Sequence, residues 1–431
     1  MSNRINFKKN SFLVYGLGST GKSVVDFFNK LKITQFYVWD DNPSLIKKYK
    51  SNNKKNLKYI LKKVDYIVLS PGISLRNSKN KDSLNKYRKK IITDLDLLFL
   101  SYPNFKSIIV TGSNGKSTTC KIITHLLKKN NFKVQLGGNI GIPALSLKVR
   151  KNIYYVIEAS SFQLAYSKFI RPNYAILLNI TNDHLDWHGS MKNYVNSKFK
   201  IFKLQQKKDF ALINKIFVER FKKQKYLSKS ITVNSNDYEK IKSNINNNYL
   251  TSKINDENMS FVYELSKLLK IKKYSFIKSM KSFQGLPHRF EIFFKRKNVT
   301  FINDSKATTL QASKFALMNG KNIYWILGGL PKKKDKIDLT LLRNNICRSY
   351  IIGKNTKFFK RVLKNEIKYI ISKSLKKALI TALKDITKKT IESKSIVLFS
   401  PGAASFDQYK NFESRGNEFK KITLVYAKKY I

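Results

Sequence analysis

Apolar runs of three to five residues recur along the chain, and most are followed by a polar turn and a segment with helical periodicity. Buried strands that alternate with amphipathic helices favour parallel sheets, because each helix returns the chain to the same end of the sheet. The pattern therefore predicts an α/β protein. The predicted strands lie at 11–15, 36–39, 66–69, 108–110, 154–157, 174–178, 210–214, 300–303, 323–327, 349–352 and 395–399.

Two interruptions divide this pattern into three regions. Tyr102-Pro103-Asn104 separates the first three strands from the fourth, and the segment 283–290 places glycine and proline before the last region. The chain has 431 residues, which is enough for two or three domains. We therefore predict three α/β domains, at 1–103, 104–284 and 285–431.

The most informative stretch is 108–120, in which a buried strand runs into a glycine turn and then a helix. Glycines let the backbone approach phosphate oxygens, and the unpaired N–H groups of a helix N-terminus favour an anion. A lysine adds positive charge, and a serine hydroxyl can bind Mg²⁺. The stretch thus predicts a variant phosphate-binding loop, with Val110 where the usual motif has its first glycine. The loop residues are Gly112, Ser113, Asn114, Gly115, Lys116, Ser117 and Thr118.

A second glycine turn lies in the first region, where strand 11–15 runs into G-x-G-x-x-G at 16–21. Asp40 and Asp41 follow the next strand, at the distance typical of dinucleotide-binding units. The arrangement suits NAD or FAD, or another ligand that places a diphosphate on a helix N-terminus and hydroxyls on Asp40. The segment 70–72 (Ser-Pro-Gly) follows the third strand at the same sheet edge and is a further candidate for ligand contacts.

Polar side chains also follow the strands of the central region. Glu158 ends one strand, and His184 follows the next one beside Asp183. The carboxyl ends of these strands should meet at the edge that holds the phosphate loop. A carboxylate or imidazole there is well placed to hold Mg²⁺ or to take part in catalysis.

The chain contains 85 Lys and Arg against 27 Asp and Glu, a formal net charge of +58. The lysines are spread over the whole length and accompany many Asn and Ile residues, which favours a compositional bias over a nucleic-acid-binding role. Two cysteines give no disulfide framework. With no leader pattern and no apolar run long enough for a membrane span, we expect a cytoplasmic protein without specific nucleic-acid binding or membrane insertion.

Eight segments in order resemble the Mur ligases of peptidoglycan synthesis, and the resemblance covers essentially the whole chain. GLPHRF, NDSKAT and SFDQYKNFESRG resemble the D-glutamate-adding members in particular. The segments are 111–117 (TGSNGKS), 137–141 (GGNIG), 158–164 (EASSFQL), 179–185 (NITNDHL), 285–290 (GLPHRF), 303–308 (NDSKAT), 327–329 (LGG) and 400–416 (SPGAASFDQYKNFESRG).

The resemblance implies an ATP-dependent ligase that adds D-glutamate to UDP-N-acetylmuramoyl-L-alanine through an acyl phosphate, with Mg²⁺ as cofactor, in a monomeric protein. It also implies a Rossmann-like N-terminal domain for the UDP part of the substrate, a P-loop ATPase-type central domain, and a Rossmann-like C-terminal domain for the amino acid. Domain closure would exclude water, with 285–287 as the hinge.

The same resemblance implies roles for individual residues. A carbamate formed by CO₂ on Lys198 would turn an ammonium into an anion that can serve Mg²⁺. The implied catalytic residues are Lys116, Asn139, His184 and Lys198. The implied metal site comprises Ser117, Glu158, His184 and Lys198. ATP would contact the phosphate loop, Arg289 and Asp304. The first substrate would contact Leu17, Gly18, Ser19, Thr20, Asp40, Asp41, Ser70, Pro71, Gly72, Asn139 and Ser160. D-Glutamate would contact Lys306, Thr308, Lys332, Ser405, Phe406 and Phe412, with Lys333 and Lys334 as alternatives to Lys332.

Three alternatives stay open at this level. Another Mur ligase or a folylpolyglutamate synthetase shares the ATP-binding segment, and a panel of amino acids separates them. A nicotinamide-dependent oxidoreductase explains the turn at 16–21 but not Gly115-Lys116-Ser117, and it predicts binding of NADH. A nucleic-acid-binding protein explains only the charge, and it predicts tight, salt-sensitive binding to duplex.

Overall fold

The computed structural model describes residues 5–47, 49, 56–247, 249–332, 335–364, 366–388 and 394–431. The contacts divide the chain into two compact units, Met1–Phe283 and Gln284–Ile431. Two sheets lie in the first unit and one in the second. One apolar core spans both sheets of the first unit, from Ile5 to Phe221. The predicted division at 103 therefore stays a prediction.

The strands are mostly the apolar runs of the sequence. They are β1 (Phe12–Tyr15), β2 (Phe36–Trp39), β3 (Tyr66–Leu69), β4 (Ile91–Ile92), β5 (Lys106–Thr111), β6 (Val134–Gly138), β7 (Tyr154–Glu158), β8 (Tyr174–Leu177), β9 (Phe210–Asn214), β10 (Lys229–Val233), β11 (Glu291–Arg296), β12 (Val299–Asn303), β13 (Ile323–Gly328), β14 (Ile346–Ile352), β15 (Tyr369–Lys373) and β16 (Ser395–Phe399).

The helices alternate with these strands. They are α1 (Ser19–Lys30), α2 (Pro43–Ile46), α3 (Leu57–Lys63), α4 (Lys81–Lys86), α5 (Asp94–Ser101), α6 (Lys116–Lys129), α7 (Ser161–Tyr166), α8 (Leu185–His188), α9 (Met191–Phe199), α10 (Val218–Lys223), α11 (Ser235–Lys242), α12 (Asp256–Leu268), α13 (Lys273–Lys281), α14 (Leu310–Met318), α15 (Thr356–Leu363), α16 (Leu375–Thr387) and α17 (Phe412–Tyr430). No helix in the described part of the chain is long and apolar enough to cross a membrane.

The two sheets of the first unit are parallel throughout. Their strand orders are β2-β1-β3-β4 and β10-β9-β8-β5-β7-β6. In the second sheet β5 lies between β7 and β8, with Val110 paired to Glu158 on one side and to Ile176 on the other. The strand that leads into the phosphate loop is therefore central, and the polar residues that follow its neighbours meet at one edge.

The sheet of the second unit has the order β11-β12-β16-β13-β14-β15. Apolar clusters cover both of its faces, as expected for a sheet with helices on each side. It departs from a purely parallel sheet at β11, which pairs antiparallel with β12. A two-residue turn at 297–298 joins these strands, with Lys297 at φ 46°, and a left-handed residue suits such a tight hairpin.

Candidate active site

The phosphate loop occupies the carboxyl end of β5, and α6 begins at Lys116. Gly115 caps the helix at φ 81°, a left-handed conformation that glycine adopts without strain. A Cβ at this position would lie 2.1 Å from the amide oxygen of Asn258 on α12. Both the backbone and the close neighbour therefore require glycine here, and the first turn of α6 is left open to an anion.

Two lysine ammonium groups converge on one carbonyl of this loop. The Nζ atom of Lys116 donates to the carbonyls of Gly112 and Ser113 at 2.8 Å each. The Nζ atom of Lys198, which α9 carries 86 residues further along, donates to the Gly112 carbonyl at 2.7 Å. The structure thus joins Lys116 and Lys198, two of the four predicted catalytic residues, around a single backbone oxygen.

Lys198 is buried, with only 1% of its surface exposed. Burial, followed by the nearby ammonium of Lys116, lowers its pKa to about 7, although Asp183 acts in the opposite direction. A lysine of this kind is neutral much more often at pH 7 than an exposed one, and a neutral amine is a nucleophile. The sequence alone offers no sign of this, because many other lysines share the same local pattern.

Glu158 lies at the end of β7 and is 2% exposed. Its Oε1 atom accepts a hydrogen bond from Asn139 Nδ2 at 2.8 Å, and the Asn139 N–H donates to the Glu158 carbonyl at 2.8 Å. The other carboxylate oxygen, Oε2, is buried and has no hydrogen-bond partner in the described part of the chain. A buried carboxylate oxygen without a donor suits a cation.

Among the described residues, no three His, Cys, Asp or Glu side chains lie together in an arrangement that could hold a metal ion. Mg²⁺ commonly uses only one or two carboxylates, completed by phosphate oxygens and water. Glu158 and the half-buried Ser117 fit that requirement. Lys198 as an ammonium does not, whereas a carbamate on it would.

His184 follows β8 in a left-handed conformation, at φ 53°. Its Nε2 atom lies 3.2 Å from the carboxylate of Asp183, and its ring packs 4.7 Å from that of Phe162. Neither contact assigns it to a metal site. The predicted metal and catalytic roles of His184 stay predictions.

A chain of amides leads away from the loop to a cavity that the sequence analysis did not identify. The Asn114 N–H donates to Asn179 Oδ1 at 2.9 Å, and Asn179 Nδ2 donates to the carboxylate of Glu257 at 2.6 Å. Glu257 and Asn214 line a polar cavity of about 710 Å³ beside the ends of β9 and β10. Since each contact spans more than 60 residues, no local motif signals the cavity.

The glycine turn of the first sheet is held by a carboxylate. Asp40 accepts the N–H of Leu17 at 2.6 Å and that of Asn42 at 2.8 Å, while Asp41 accepts the hydroxyl of Tyr15 at 2.7 Å. Ser70 Oγ donates to the Gly16 carbonyl at 2.8 Å. Turn 16–20, Asp40 and Asp41, and segment 70–72 therefore meet at one edge, as the sequence predicted, with Gly18, Ser19 and Gly72 exposed.

In the second unit, Asp304 lies 9% exposed at the end of β12. It accepts the Phe290 N–H at 3.1 Å and the Ser400 hydroxyl at 2.7 Å. Burial raises its pKa to about 7, and the half-buried Arg289 acts to lower it. Arg289 and Asp304, which were predicted to bind ATP, therefore act on each other electrostatically.

The residues predicted to bind D-glutamate lie mostly on loops of this unit. Lys306 Nζ sits 3.7 Å from the ring centre of Phe412, a cation–π contact. Ser405 is buried, Thr308 half-buried and Phe406 70% exposed. Lys332 is exposed, whereas the alternatives Lys333 and Lys334 lie outside the described residues.

Arg415 was not predicted as a site residue, although it lies within a motif quoted above. It is 1% exposed, and its Nη2 atom donates to the carbonyls of Ser305 at 2.8 Å and Ala403 at 3.0 Å. Its Nε atom donates to the Ser305 hydroxyl at 3.1 Å. Arg415 thus connects the loop after β12 to the loop after β16.

Comparison with protein families gives two matches. The model of the Mur ligase middle domain matches residues 110–278, and that of the Mur ligase MurD-like N-terminal domain matches residues 10–91. The UDP-N-acetylmuramoylalanine–D-glutamate ligase of Rickettsia prowazekii (strain Madrid E) is 36% identical over 443 residues, which cover 97% of this chain and 98% of that protein.

The chain belongs to the Mur ligase family. The UDP-N-acetylmuramoylalanine–D-glutamate ligase of Buchnera aphidicola subsp. Schizaphis graminum (strain Sg) is another such relative, 35% identical over 97% of this chain and 98% of its own length. This Mur ligase is therefore similar over 97% of its length to two proteins of that name.

Solved structures show the same fold for this Mur ligase. The MurF ligase of Thermotoga maritima in complex with ADP matches with a TM-score of 0.55 and 16% identity, over 99% of this chain and 97% of that one. The UDP-N-acetylmuramate–alanine ligase MurC of the same organism matches with a TM-score of 0.53 and 17% identity, over 97% and 100%. At such identities the likeness supports the predicted α/β Mur ligase architecture.

Proposed function

We propose that this chain forms an amide bond between the alanine carboxylate of UDP-N-acetylmuramoyl-L-alanine and the amine of D-glutamate, driven by ATP, in the cytoplasm. The observation that carries this is the convergence of Lys116 and Lys198 on the Gly112 carbonyl, in the open loop at the start of α6. The substrate pair follows from the names of relatives that match nearly the whole chain.

A carboxylate acylates poorly, so it must first be activated. In the first step an oxygen of the alanine carboxylate attacks the γ-phosphorus of ATP, and the bond from that phosphorus to the bridging oxygen breaks, releasing ADP. Lys116 would turn from the loop carbonyls to the phosphate oxygens, beside the free N–H groups of α6. Such fixed donors stabilise the charge on the transferring group.

In the second step the neutral amine of D-glutamate attacks the acyl carbon. The bond from that carbon to the phosphate oxygen breaks, inorganic phosphate leaves, and the nitrogen loses one proton to give the amide. D-Glutamate carries two carboxylates, which Lys306 and Lys332 would hold by charge and Ser405 by hydrogen bonding. Asn139 would help to place the first substrate from its position beside Glu158.

Mg²⁺, when bound, would neutralise charge on the phosphates, held by Ser117 and Glu158. The buried Glu158 Oε2 atom, which has no partner in the described residues, supports this assignment. A carbamate would form when the neutral amine of Lys198 attacks CO₂: a nitrogen–carbon bond forms, an oxygen takes the charge, and one proton goes to solvent. The pKa of about 7 favours that reaction.

The test is release of phosphate from ATP with UDP-N-acetylmuramoyl-L-alanine, Mg²⁺ and bicarbonate. D-Glutamate, L-glutamate, D-aspartate and meso-diaminopimelate are supplied in turn. We expect phosphate release with D-glutamate and with none of the other three amino acids. Release that requires another amino acid would contradict the assignment of the second substrate, and no release with any of them from folded protein would contradict the ligase assignment.

A further inference from the structure

A buried carboxylate lies close to the proposed site but outside the roles assigned above. Asp94 is the first residue of α5 and is 1% exposed. Its two oxygens lie 3.3 Å and 3.2 Å from the Nε2 atom of Gln163 on α7. Gln163 follows the Glu158 strand by five residues, so the contact ties α5 to the segment that follows the metal-binding candidate.

The two neighbours of Gln163 determine which way its amide faces. The carboxylate of Asp94 can only accept, so the amide atom that faces it must be nitrogen. The backbone N–H of Ser160 can only donate, and it points to Gln163 Oε1 at 3.1 Å, so the atom that faces it must be oxygen. Both ends of the amide require the same orientation, and Asp94 supplies one of the two constraints.

This orientation determines the state of the Ser160 hydroxyl. Ser160 Oγ donates to Gln163 Oε1 at 3.0 Å and accepts the backbone N–H of Gln163 at 3.2 Å. A hydroxyl has one proton and two lone pairs, so its proton is used and one lone pair remains. Ser160 lies two residues after Glu158 and is among the residues proposed to contact the first substrate.

We propose that Asp94 is a positioning residue that acts on Ser160 through Gln163. It fixes the Ser160 hydroxyl so that this group accepts a hydrogen bond from the first substrate and donates none to it. Ser160 then contacts an N–H or O–H group of that substrate, such as an amide or a sugar hydroxyl, and not a phosphate or carboxylate oxygen. This specificity rests on the proposed function, because it concerns how the same substrate is bound.

The variant D94N tests the relay with almost no change in shape. One of the two acceptor oxygens beside Gln163 Nε2 becomes an NH₂ group, so the Gln163 amide loses the negative charge and one of the two contacts that orient it. Turning the Gln163 amide around would leave the Ser160 N–H facing a donor. We expect the KM for UDP-N-acetylmuramoyl-L-alanine to rise about tenfold, the equivalent of one lost hydrogen bond. The KM for ATP and kcat should change less than about twofold.

Exchanging the two side chains provides a rescue. In D94N/Q163E the amide at position 94 donates to one carboxylate oxygen at position 163, and the other oxygen accepts from Ser160 as in the native chain. The net charge of the pair is conserved. We expect the KM to return to within about threefold of the native value, since the hydrogen-bond directions at Ser160 are restored. A double variant that binds worse than D94N would overturn the inference.

The S160A background separates positioning from a general packing defect. If Asp94 acts through Ser160, D94N should add nothing to the KM change of S160A; equal and additive effects would contradict the relay. The control D209N replaces a buried aspartate that accepts the Gln206 N–H at 2.8 Å, next to the amino end of β9. It should leave the KM unchanged.

Calorimetric binding of UDP-N-acetylmuramoyl-L-alanine gives the same comparison without turnover. If the native protein binds this substrate but ligates no amino acid, the proposed function is wrong. The binding affinity of D94N would still test the relay in that case. If the native protein is active and D94N binds the substrate as tightly as the native protein does, the relay is wrong and the proposed function stands. Melting temperatures identify unfolded variants, and if D94N alone fails to fold, the charge-conserving exchange carries the test.

Discussion

Gly-Lys-Ser occurs twice in this chain after a buried strand and a glycine turn, at 21–23 and at 115–117. The first occurrence, which starts at Gly16, has the full spacing G-x-x-x-x-G-K-S, whereas the second lacks the first glycine. By motif alone the first is the better phosphate loop. We propose the opposite order for ATP, because the two helices begin at different places in the motif.

In the first sheet α1 begins at Ser19, so the Gly-Lys-Ser residues lie within the helix. Gly21 packs so closely that a Cβ there would meet the Gly16 carbonyl oxygen at 1.8 Å, and Ser23 Oγ donates to the Thr20 carbonyl at 2.6 Å. Lys22 is exposed. The glycine and the serine of this motif therefore serve helix–turn packing.

In the second sheet α6 begins at the lysine itself, and the glycine before it is the helix cap. Lys116 therefore folds back over the turn to the Gly112 carbonyl, where Lys198 joins it. The comparison teaches that the start of the helix decides whether a Gly-Lys-Ser segment presents its lysine and amides to an anion.

The largest expected difference is between the two motif lysines. K116A should reduce D-glutamate-dependent phosphate release by about 10²–10³-fold, because it removes a fixed donor from the transferring phosphoryl group. K22A, the same change at the equivalent motif position, should alter it less than about twofold, since Lys22 is exposed and is not among the predicted site residues. Steady-state kinetics of both variants checks this. Equal losses of phosphate release in K116A and K22A would contradict the assignment of ATP to the second turn.

The second expected difference is the reactivity of Lys198, which has no counterpart in the first turn. Its pKa, lowered from 10.5 to about 7, means that the neutral amine dominates above pH 7 and that its fraction falls about fivefold from pH 7 to pH 6. At constant dissolved CO₂, the carbamate carbon signal from ¹³C-labelled bicarbonate should fall at least as steeply from pH 7 to pH 6. The signal should vanish in K198M, and its survival there would assign it to another amine.

The smallest expected difference is between the motif glycines, and it concerns stability. G21A should lower the free energy of unfolding by about 1–3 kcal/mol, because the new methyl group meets a backbone carbonyl that has little room to move. G115A should cost less stability, about 1 kcal/mol from the left-handed backbone, because the Asn258 side chain that its methyl group meets can move whereas a backbone carbonyl cannot. It should nevertheless weaken ATP binding. Urea unfolding and ATP titration of both variants check this, and a reversed order of stability would contradict the packing described here.

Much of the architecture follows from local pattern. The interior strands β1, β5, β8 and β13 are apolar runs that are almost entirely buried, so the sequence locates them. Edge strands such as β10, β11 and β15 carry lysine or arginine and are mostly exposed or half-buried, and they were not predicted. Their strand identity comes from pairing with a neighbouring strand and not from an apolar run.

The sequence by itself determined the α/β class, the phosphate loop, the two acidic residues after β2 and the motifs that mark a Mur ligase. Only the tertiary structure decided at which residue of each Gly-Lys-Ser motif the helix begins and which lysine is desolvated. It also decided how Asp94, Gln163 and Ser160 share their hydrogen bonds. The physical reason is that apolar burial is encoded residue by residue, whereas desolvation and hydrogen-bond direction depend on groups that folding brings together.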